Sequence, residues 1–268
     1  GSSSADTLSL TAAGTITDGT DGDLSVTNNA SFTAGANAIT LGNDAGNSTD
    51  FGSLTFSSTS TVTISEDSAT VLEGASAADS LSLTSIGSIT DGANGDVSVT
   101  NNASFNAGAN AITLGNDAGN ATNFGSLTLT GGTVSISEDS ASAINLLTAT
   151  TLSLTSAGAI SDNNAGANNI DATTATLSAV GGFGNGNALE TEVSSLDVTN
   201  TTSGNIEIDN NGASAGVLAI TGISQSGGTI TITNSGTVNI TGALNGTGGD
   251  SDLSITSNSP LNVNANIS

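Results

Sequence analysis

The stretch TNNASFTAGANAITLGNDAGN at residues 27–47 decides the fold, because it returns as TNNASFNAGANAITLGNDAGN at residues 100–120. The two copies lie 73 positions apart (27 to 100) and differ only where Thr33 is replaced by Asn106. A catalytic site is seldom duplicated within one chain, whereas an architecture of stacked units has to repeat its sequence. The duplication therefore predicts a repetitive scaffold.

Short segments in which apolar and small polar residues alternate follow one another along the chain, such as LSL at 8–10, VTI at 62–64 and LSL at 152–154. A period of two places alternate side chains on opposite faces, so each segment is predicted to be a β-strand with an apolar inward face. Clusters of Gly, Asn and Asp, such as TDGTDGD at 17–23, separate the segments and favour tight bends. Lys, Arg and Met, which favour helices, are absent, and the whole pattern predicts an all-β fold.

The repeat extends well beyond the opening stretch. Residues 8–55 align with residues 81–128 without gaps, and nine of the 48 positions differ. Two shorter segments recur at nearly the same offset: VTISEDSA (62–69) as VSISEDSA (134–141), and LSLTSIGSIT (81–90) as LSLTSAGAIS (152–161). Strand starts near residues 8, 24, 54 and 81 divide the unit into three steps of about 24 residues, which is the size of one coil of a parallel β-helix.

These features predict one continuous right-handed parallel β-helix, or β-solenoid, over residues 1–268. It would have about eleven coils, with about three coils in each 71–73-residue repeat. The predicted boundaries are, in chain order, repeat 1 at about 8–80, repeat 2 at about 81–151, a drifted repeat 3 at about 152–217, and C-terminal coils at about 218–268.

The composition excludes several classes of function. The chain carries a formal net charge of −24 and contains no Lys, Arg or His. Nucleic-acid binding is excluded, because phosphate groups have to be neutralised by cationic side chains. No apolar run approaches the roughly 20 residues that cross a bilayer, so no membrane span is expected. An initiating Met and a signal peptide are missing, and we therefore expect a processed or excised piece of a longer protein.

Enzymatic activity is not expected. The SEDS segments at 65–68 and 137–140 place Glu next to Asp, but adjacent residues on a strand point to opposite faces and cannot act as a pair. A β-helix enzyme that cleaves polysaccharides normally also needs cationic groups to hold an acidic sugar or stabilise an oxyanion. The recurring phenylalanines are interpreted as core residues rather than sugar-stacking platforms: Phe32, Phe51, Phe105 and Phe124.

Acidic bends offer the candidate metal ligands. Oxygen atoms of Asp side chains on a Gly-rich bend suit Ca²⁺, and calcium is the one cofactor that the sequence suggests. In the second copy Asn94 stands where the first copy has Asp21. The alternative is that these side chains only cap bends and face water. The candidate calcium ligands are Asp18, Asp21, Asp23, Asp91 and Asp96.

Neither end of the sequence resembles the caps with which natural solenoids usually protect their first and last coils. The alternating pattern starts by Leu8 and continues through PLNVNANIS at 260–268, where Pro260 suits the start of an edge strand because it cannot donate to a ladder. We therefore expect these ends to meet coils of other copies, by head-to-tail stacking or by exchange of the terminal strand. The alternative is that the segment belongs to a longer rod with flanking coils. The candidate assembly residues are Leu8, Leu10, Pro260, Leu261, Val263 and Ile267.

Several segments resemble the repeats of filamentous haemagglutinin-type bacterial exoproteins, which are β-strand-repeat adhesins. They are LSLTAAGTIT (8–17), LSLTSIGSIT (81–90), LSLTSAGAIS (152–161), GDLSVT (22–27) and GDVSVT (95–100). The resemblance implies a long right-handed parallel β-helix that is secreted and displayed on the cell surface. It also implies surface glycans or other cells as partners of an adhesin.

The expected function is a structural subunit or shaft of an extracellular bacterial filament, sheath or surface adhesin, with copies of itself as partners. An ice-binding β-solenoid is the first alternative, because STVTIS (60–65) and TITIT (229–233) present outward Thr residues. The uneven spacing of the strand starts at 8, 24, 54 and 81 argues against one flat, lattice-matched face. A polysaccharide-active β-helix enzyme is the remaining alternative.

Overall fold

A computed structural model of the chain describes residues 1–184, 186–212, 216–247 and 252–268. Within these residues, all helix-or-strand structure is β-strand, and the strands pair in parallel. The chain forms two compact units, unit 1 (Gly1–Ile136) and unit 2 (Ser137–Ser268). Each is a parallel β-solenoid, and together they contain about twelve turns. The predicted all-β parallel solenoid is therefore confirmed. Its handedness and its continuity over residues 1–268 stay predictions.

The strands that begin in unit 1 are β1 (Ser3–Ala5), β2 (Leu8–Thr11), β3 (Ile16–Thr17), β4 (Leu24–Gly35), β5 (Ile39–Leu41), β6 (Thr49–Ser58), β7 (Thr61–Glu66), β8 (Thr70–Leu72), β9 (Ser76–Ala78), β10 (Ser80–Ser85), β11 (Ile89–Asp91), β12 (Val97–Asn106), β13 (Ile112–Leu114) and β14 (Thr122–Glu138). The strands of unit 2 are β15 (Ser142–Ser156), β16 (Ile160–Asp162), β17 (Ile170–Ala179), β18 (Leu189–Asn200), β19 (Ile206–Asn210), β20 (Leu218–Gln225), β21 (Ile230–Asn234), β22 (Val238–Ile240), β23 (Leu244–Gly246), β24 (Leu253–Ser257) and β25 (Leu261–Val263).

Three sides make one turn of unit 1, and the first turn places β1, β2 and β3 on them in order. The next turn returns to the same sides with the pairs Ser3–Leu24, Leu8–Ala30 and Ile16–Ile39. We name the sides of unit 1 the Ser3 side, the Leu8 side and the Ile16 side. Bends rich in Gly, Asn and Asp join them, as the sequence predicts.

The 73-residue repeat is longer than three turns of unit 1. On the Ile16 side the stacked residues are Ile16, Ile39, Val62, Leu81, Ala103 and Leu127. On the Leu8 side they are Leu8, Ala30, Leu54 and Leu72. Three turns therefore lead from Leu8 only to Leu72, which falls short of Leu81, the sequence counterpart of Leu8. Leu81 lies on the Ile16 side instead.

The prediction of three coils per repeat is therefore wrong. One 73-residue repeat spans three turns of the solenoid plus about one further side. Each side needs only the same short alternation of apolar and small residues, so a repeat can begin on any side. Turns of about 22 residues, shorter than the expected 24, also raise the number of turns from about eleven to about twelve.

Apolar side chains fill the interior of unit 1 in columns. The recurring phenylalanines are part of this core and pack as pairs, with ring centroids 5.6 Å apart for Phe32 and Phe51 and 5.5 Å apart for Phe105 and Phe124. All four side chains are buried. Their interpretation as core residues is confirmed, and tilted or edge-on ring contacts of this kind add to the stability of the core.

Unit 2 stacks in the same way, with apolar columns of similar length. One column comprises Leu152, Ala175, Leu196, Ile220, Ile240 and Val263, and another comprises Ile160, Phe183, Ile206, Ile230 and Leu253. Buried amides form ladders at the corners, where Asn200 Nδ2 donates to Gln225 Oε1 (2.6 Å) and Asn210 Nδ2 donates to Asn234 Oδ1 (2.9 Å). These pairs satisfy polar groups that would otherwise be costly to bury.

Candidate assembly surfaces and acidic bends

The first turn of unit 1 leaves apolar side chains uncovered. Leu10 is 41 % exposed, although Phe32, its partner in the next turn, is fully buried. Leu8 is half-buried on the same strand. Both side chains point toward the interior of the solenoid, and a turn stacked before them would bury them. The structure thus places the two N-terminal candidate assembly residues in the first turn that it describes.

Apolar side chains are also exposed in the last described turn of unit 2. Ile267 is 53 % exposed, whereas its partner Leu244 in the preceding turn is 2 % exposed. Leu261 and Val263 are exposed on β25 above buried partners. Pro260 immediately precedes β25, as predicted for a residue that starts an edge strand, and its carbonyl accepts a hydrogen bond from Val238 N (3.1 Å). That these residues contact another copy stays a prediction.

Asp18 and Asp91 join successive turns of unit 1. Oδ2 of Asp18 accepts hydrogen bonds from Gly42 N (2.7 Å) and Asn47 Nδ2 (3.2 Å). Oδ2 of Asp91 accepts the equivalent bonds from Gly115 N (2.7 Å) and from Asn120 Nδ2 (3.0 Å). The same arrangement therefore occurs in both repeats, on different sides of the solenoid, and its carboxylates hold the bends in place.

The other three candidate ligands lie on the same bends. Asp23 accepts from Ser2 Oγ (2.7 Å) and Ser48 N (3.1 Å), and these two hydrogen bonds, the first above all, lower the pKa of Asp23. Asp96 accepts from the backbone N–H of residue 121 (2.8 Å). Asp21 is exposed, and its carbonyl oxygen accepts a hydrogen bond from the N-terminal amine.

The acidic bends do not gather their carboxylates around one point. Among the residues that the structure describes, no group of three or more acidic side chains is placed to hold a metal ion. Four of the five candidates instead accept hydrogen bonds from neighbouring turns. This structural role was not predicted from the sequence. The available signal was the spacing, because Asp18 and Asp91 each precede their backbone donor by about one turn. Calcium binding stays a prediction.

The burial of Glu66 in the core was not predicted from the sequence. It is 1 % exposed and accepts hydrogen bonds from Phe51 N (2.9 Å), Thr70 Oγ1 (2.5 Å) and Ser68 Oγ (3.2 Å). Burial raises the pKa of Glu66 above its usual value, these hydrogen bonds oppose the increase, and the negative charge of Asp50 adds to it.

The alternation Val62, Ile64, Glu66 was the signal that could have located this side chain, because every second residue of β7 points inward. The next residue, Asp67, is exposed, and its Oδ2 accepts a hydrogen bond from Thr49 N (3.1 Å). Glu66 thus points inward, whereas the adjacent Asp67, which directly follows β7, faces solvent.

The outer surface of the Ile16 side carries an uninterrupted ladder of hydroxyl groups. It runs through six successive turns, in which each strand pairs with the next in register. Its members are exposed or half-buried: Thr17, Thr40, Thr63, Ser82, Ser104 and Thr128. We call this set the hydroxyl ladder. It contains no charged residue, in spite of the net charge of −24.

Comparison with known proteins bears on unit 1. Residues 1–57 and 59–128 match a family described as repeats of unknown function (DUF5649). Each of these two segments contains one copy of the repeated stretch. No curated protein and no solved structure matches the chain. In the part of the chain that the structure describes, no helix is long and apolar enough to cross a membrane.

Proposed function

We propose that the chain is a structural subunit or shaft of an extracellular bacterial filament, sheath or surface adhesin, and that it assembles through its end turns. The observation that carries this proposal is the parallel stacking of turns in both units, in which the same apolar columns recur from one turn to the next. In each unit the same columns are buried wherever another turn lies on them.

Two physical effects favour assembly at these turns. Covering an exposed Leu, Val or Ile side chain contributes about 1.5–3 kcal/mol when burial is complete. A terminal strand also carries N–H and C=O groups that no neighbouring strand pairs, which makes it a template for another strand. Both effects would act on Leu261 and Val263, which are exposed on β25, a strand that pairs with β22 among the described residues.

The extracellular location and the adhesive role rest on the resemblance of the repeats to exoprotein repeats. The carboxylates support a structural role, because those of Asp18, Asp91 and Glu66 are used to hold turns together. An enzyme would instead be expected to present them as a group in one cleft.

Sedimentation velocity of the full chain and of a chain without residues 260–268 tests the proposal. The full chain should form large assemblies as its concentration rises at about 0.15 M NaCl, where charge repulsion reaches only about 8 Å. The deletion should shorten these assemblies if the terminal strand is exchanged. Asn262→Ser is the matched control, because it changes an outward side chain of the same strand. A full chain that stays monomeric throughout would overturn the proposal.

Ice binding is the second candidate, and the hydroxyl ladder favours it. The strand starts that looked unevenly spaced in the sequence lie on different sides of the solenoid. The members of the hydroxyl ladder all lie on one side, with one member in every turn. Hydroxyl groups would recur about every 4.8 Å across the strands. A thermal-hysteresis assay tests this candidate. Activity that is lost in Thr63→Glu but kept in Thr113→Glu, on another side, would support it, and no activity in the native chain would exclude it.

A further inference from the structure

Asparagine followed by glycine is a step at which a protein chain can modify itself. The backbone nitrogen of the glycine can attack the side-chain carbonyl carbon of the asparagine, because glycine has no side chain that hinders the approach. The sequence contains four such steps: Asn94–Gly95, Asn185–Gly186, Asn211–Gly212 and Asn245–Gly246. Asn185 lies outside the described residues, and the structure distinguishes the other three steps from one another.

Two of these three steps hold the attacking nitrogen in a hydrogen bond. Gly95 N donates to Gly92 O (3.0 Å), and Gly246 N donates to Ser268 O (2.9 Å). Asn245 also lies on β23, and its Oδ1 accepts a hydrogen bond from Ser268 Oγ (3.0 Å). Each nitrogen would have to give up its hydrogen bond before it could attack, so both steps are protected in the folded chain.

The step at Asn211 and Gly212 is not held in this way. It follows β19 in the connection to β20, where Asn211 is exposed and Gly212 is half-buried. Among the described residues, no group accepts a hydrogen bond from Gly212 N. The attacking nitrogen of this step therefore has no hydrogen bond to break before it moves toward the side chain of Asn211.

Two carboxylates flank the step. Asn211 Nδ2 donates a hydrogen bond to Oδ1 of Asp209, which holds the amide in one orientation. Glu192 reaches Gly212 from the preceding turn, and a Cβ atom added at Gly212 would lie 2.8 Å from the carboxyl carbon of Glu192. Only glycine at position 212 leaves room for this carboxylate beside the backbone.

The carboxylate of Glu192 is suited to accept the proton that the attacking nitrogen loses. The chain contains no His, Lys, Cys or Tyr, so its basic side chains are carboxylates. Asn168 Nδ2 donates to Oε2 of Glu192 (3.2 Å) and fixes the carboxylate in place. A base that is held beside the reacting group typically accelerates proton transfer by about 10²–10⁴-fold.

We propose that Asn211 and Gly212 form a self-modification site, at which the chain releases the side-chain amide of Asn211 as ammonia. Gly212 N forms a bond to Cγ of Asn211 and gives its proton to the carboxylate of Glu192. The bond between Cγ and Nδ2 breaks, and Nδ2 takes up that proton and leaves as ammonia. Water then opens the succinimide to aspartate or isoaspartate. The reaction consumes one water, releases one ammonia and needs no oxidant or reductant.

This inference goes beyond the proposed function and does not depend on it, because all the residues involved lie within unit 2. The product would weaken the bend in which it forms. The amide of Asn211 is attracted to Asp209 through a hydrogen bond, whereas a carboxylate at position 211 would be repelled by both Asp209 and Glu192.

Two substitutions measure this consequence. Asn211→Asp copies the aspartate product and should lower the melting temperature of the chain. Asn211→Ser removes the hydrogen bond to Asp209 without adding a charge and should lower it less. A melting temperature of Asn211→Asp that equals that of the native chain would overturn the weakening of the bend.

Peptide mass spectrometry of the full native chain in isotope-labelled water tests the site without any variant, because each conversion takes up one oxygen from water. The chain is incubated folded and, at the same pH, unfolded in urea. We expect Asn211 to convert faster in the folded chain than in urea, and Asn94 to convert more slowly in the folded chain than in urea. Conversion of Asn211 that is as fast or faster in urea would overturn the proposal.

Glu192→Ala tests the role of the carboxylate. The rate of conversion at Asn211 should fall by about 100-fold, while the rate at Asn94 stays the same. Sodium acetate should restore part of the rate, because a small carboxylate fits the space that the side chain leaves, and sodium chloride at the same concentration should not. An unchanged rate in Glu192→Ala, or a loss that acetate restores no better than chloride, would overturn the role of Glu192 as the base.

Discussion

The backbone N–H of Phe51 donates a hydrogen bond of 2.9 Å to Oε1 of Glu66, inside the core of unit 1. Phe51 lies on β6 and Glu66 ends β7, and the partner of Glu66 in the next turn is the buried Ser85. Thr70 and Ser68 complete its hydrogen bonds. Because the carboxyl group is buried, the stability of unit 1 should respond to its protonation.

Replacing Glu66 by Gln should flatten the pH dependence of stability. The pKa of Glu66 in the folded chain is raised above its usual value of 4.5, so the folded state retains a proton that the unfolded state has lost. The free energy of unfolding of the native chain should therefore be higher near pH 4.5 and decrease as the pH rises through the folded pKa. Urea unfolding from pH 4 to pH 8 measures this.

The matched control for this substitution is Glu73→Gln, which removes one charge from a partly exposed bend. If Glu73→Gln flattens the curve as much as Glu66→Gln, net charge is responsible and burial of Glu66 is not. Glu66→Ala should destabilise the fold by about 1–3 kcal/mol at all pH values, because it leaves the N–H of Phe51 without a partner.

Asn47→Ala should destabilise unit 1 through the loss of a corner that joins two turns. The amide of Asn47 donates to Gly19 O (2.7 Å) and to Asp18 Oδ2 (3.2 Å), and its Oδ1 accepts from Gly22 N (3.2 Å). Removing a buried group with several partners costs about 1–3 kcal/mol. Chemical denaturation measures the change, and Asn43→Ala, at an exposed position of the same bend, should have little effect. Equal effects of the two substitutions would contradict this role of Asn47.

Gly52→Ala and Gly125→Ala should be among the most destabilising substitutions to Ala in unit 1. A Cβ atom would lie 2.1 Å from Thr27 O at the first position and 2.0 Å from Thr100 O at the second. These neighbours are backbone atoms, so the turns themselves must separate, which costs about 1–3 kcal/mol or more. Gly19→Ala, where a Cβ atom meets nothing within 4 Å, is the control. Thermal unfolding that ranks Gly19→Ala with the other two would refute the close approach.

Salt and calcium should stabilise the chain to different extents. Eighteen Asp and six Glu side chains repel one another without compensating Lys or Arg, so raising the ionic strength should raise the melting temperature. If the bends bind calcium, millimolar Ca²⁺ should raise it further than NaCl of the same ionic strength. Asp21→Asn copies the residue type of Asn94 and should reduce only the calcium effect. Identical responses to Ca²⁺ and NaCl would exclude a structural calcium site.

The alternation of residues along each strand was sufficient to predict the fold and much of the core. It places Val62 and Ile64 inward and their Thr and Ser neighbours outward, as observed. The alternation cannot tell on which side of the solenoid a strand lies, because all sides accept the same pattern. For this reason Leu81 was expected to stack in line with Leu8 but lies on the Ile16 side.

The polar parts of the structure were harder to predict than the strands. Asp18 and Asp91 were interpreted as metal ligands because Asp on a Gly-rich bend suits calcium. Their hydrogen-bond donors lie about one turn later in the chain, and only the register between turns brings donor and acceptor together. The buried amides at Asn210 and Asn234 were missed for the same reason, since each is satisfied by a residue of another turn.

Cryo-electron microscopy of the full chain at about 0.15 M NaCl tests the central claim most directly, namely that the chain is a structural β-solenoid that extends itself through its end turns. The account predicts unbranched fibres in which strands recur about every 4.8 Å along the axis and all copies share one polarity. Particles that each contain a single chain, with its last turn covered by other residues of the same chain, would contradict this account. Closed dimers that are joined through their first turns would contradict it as well.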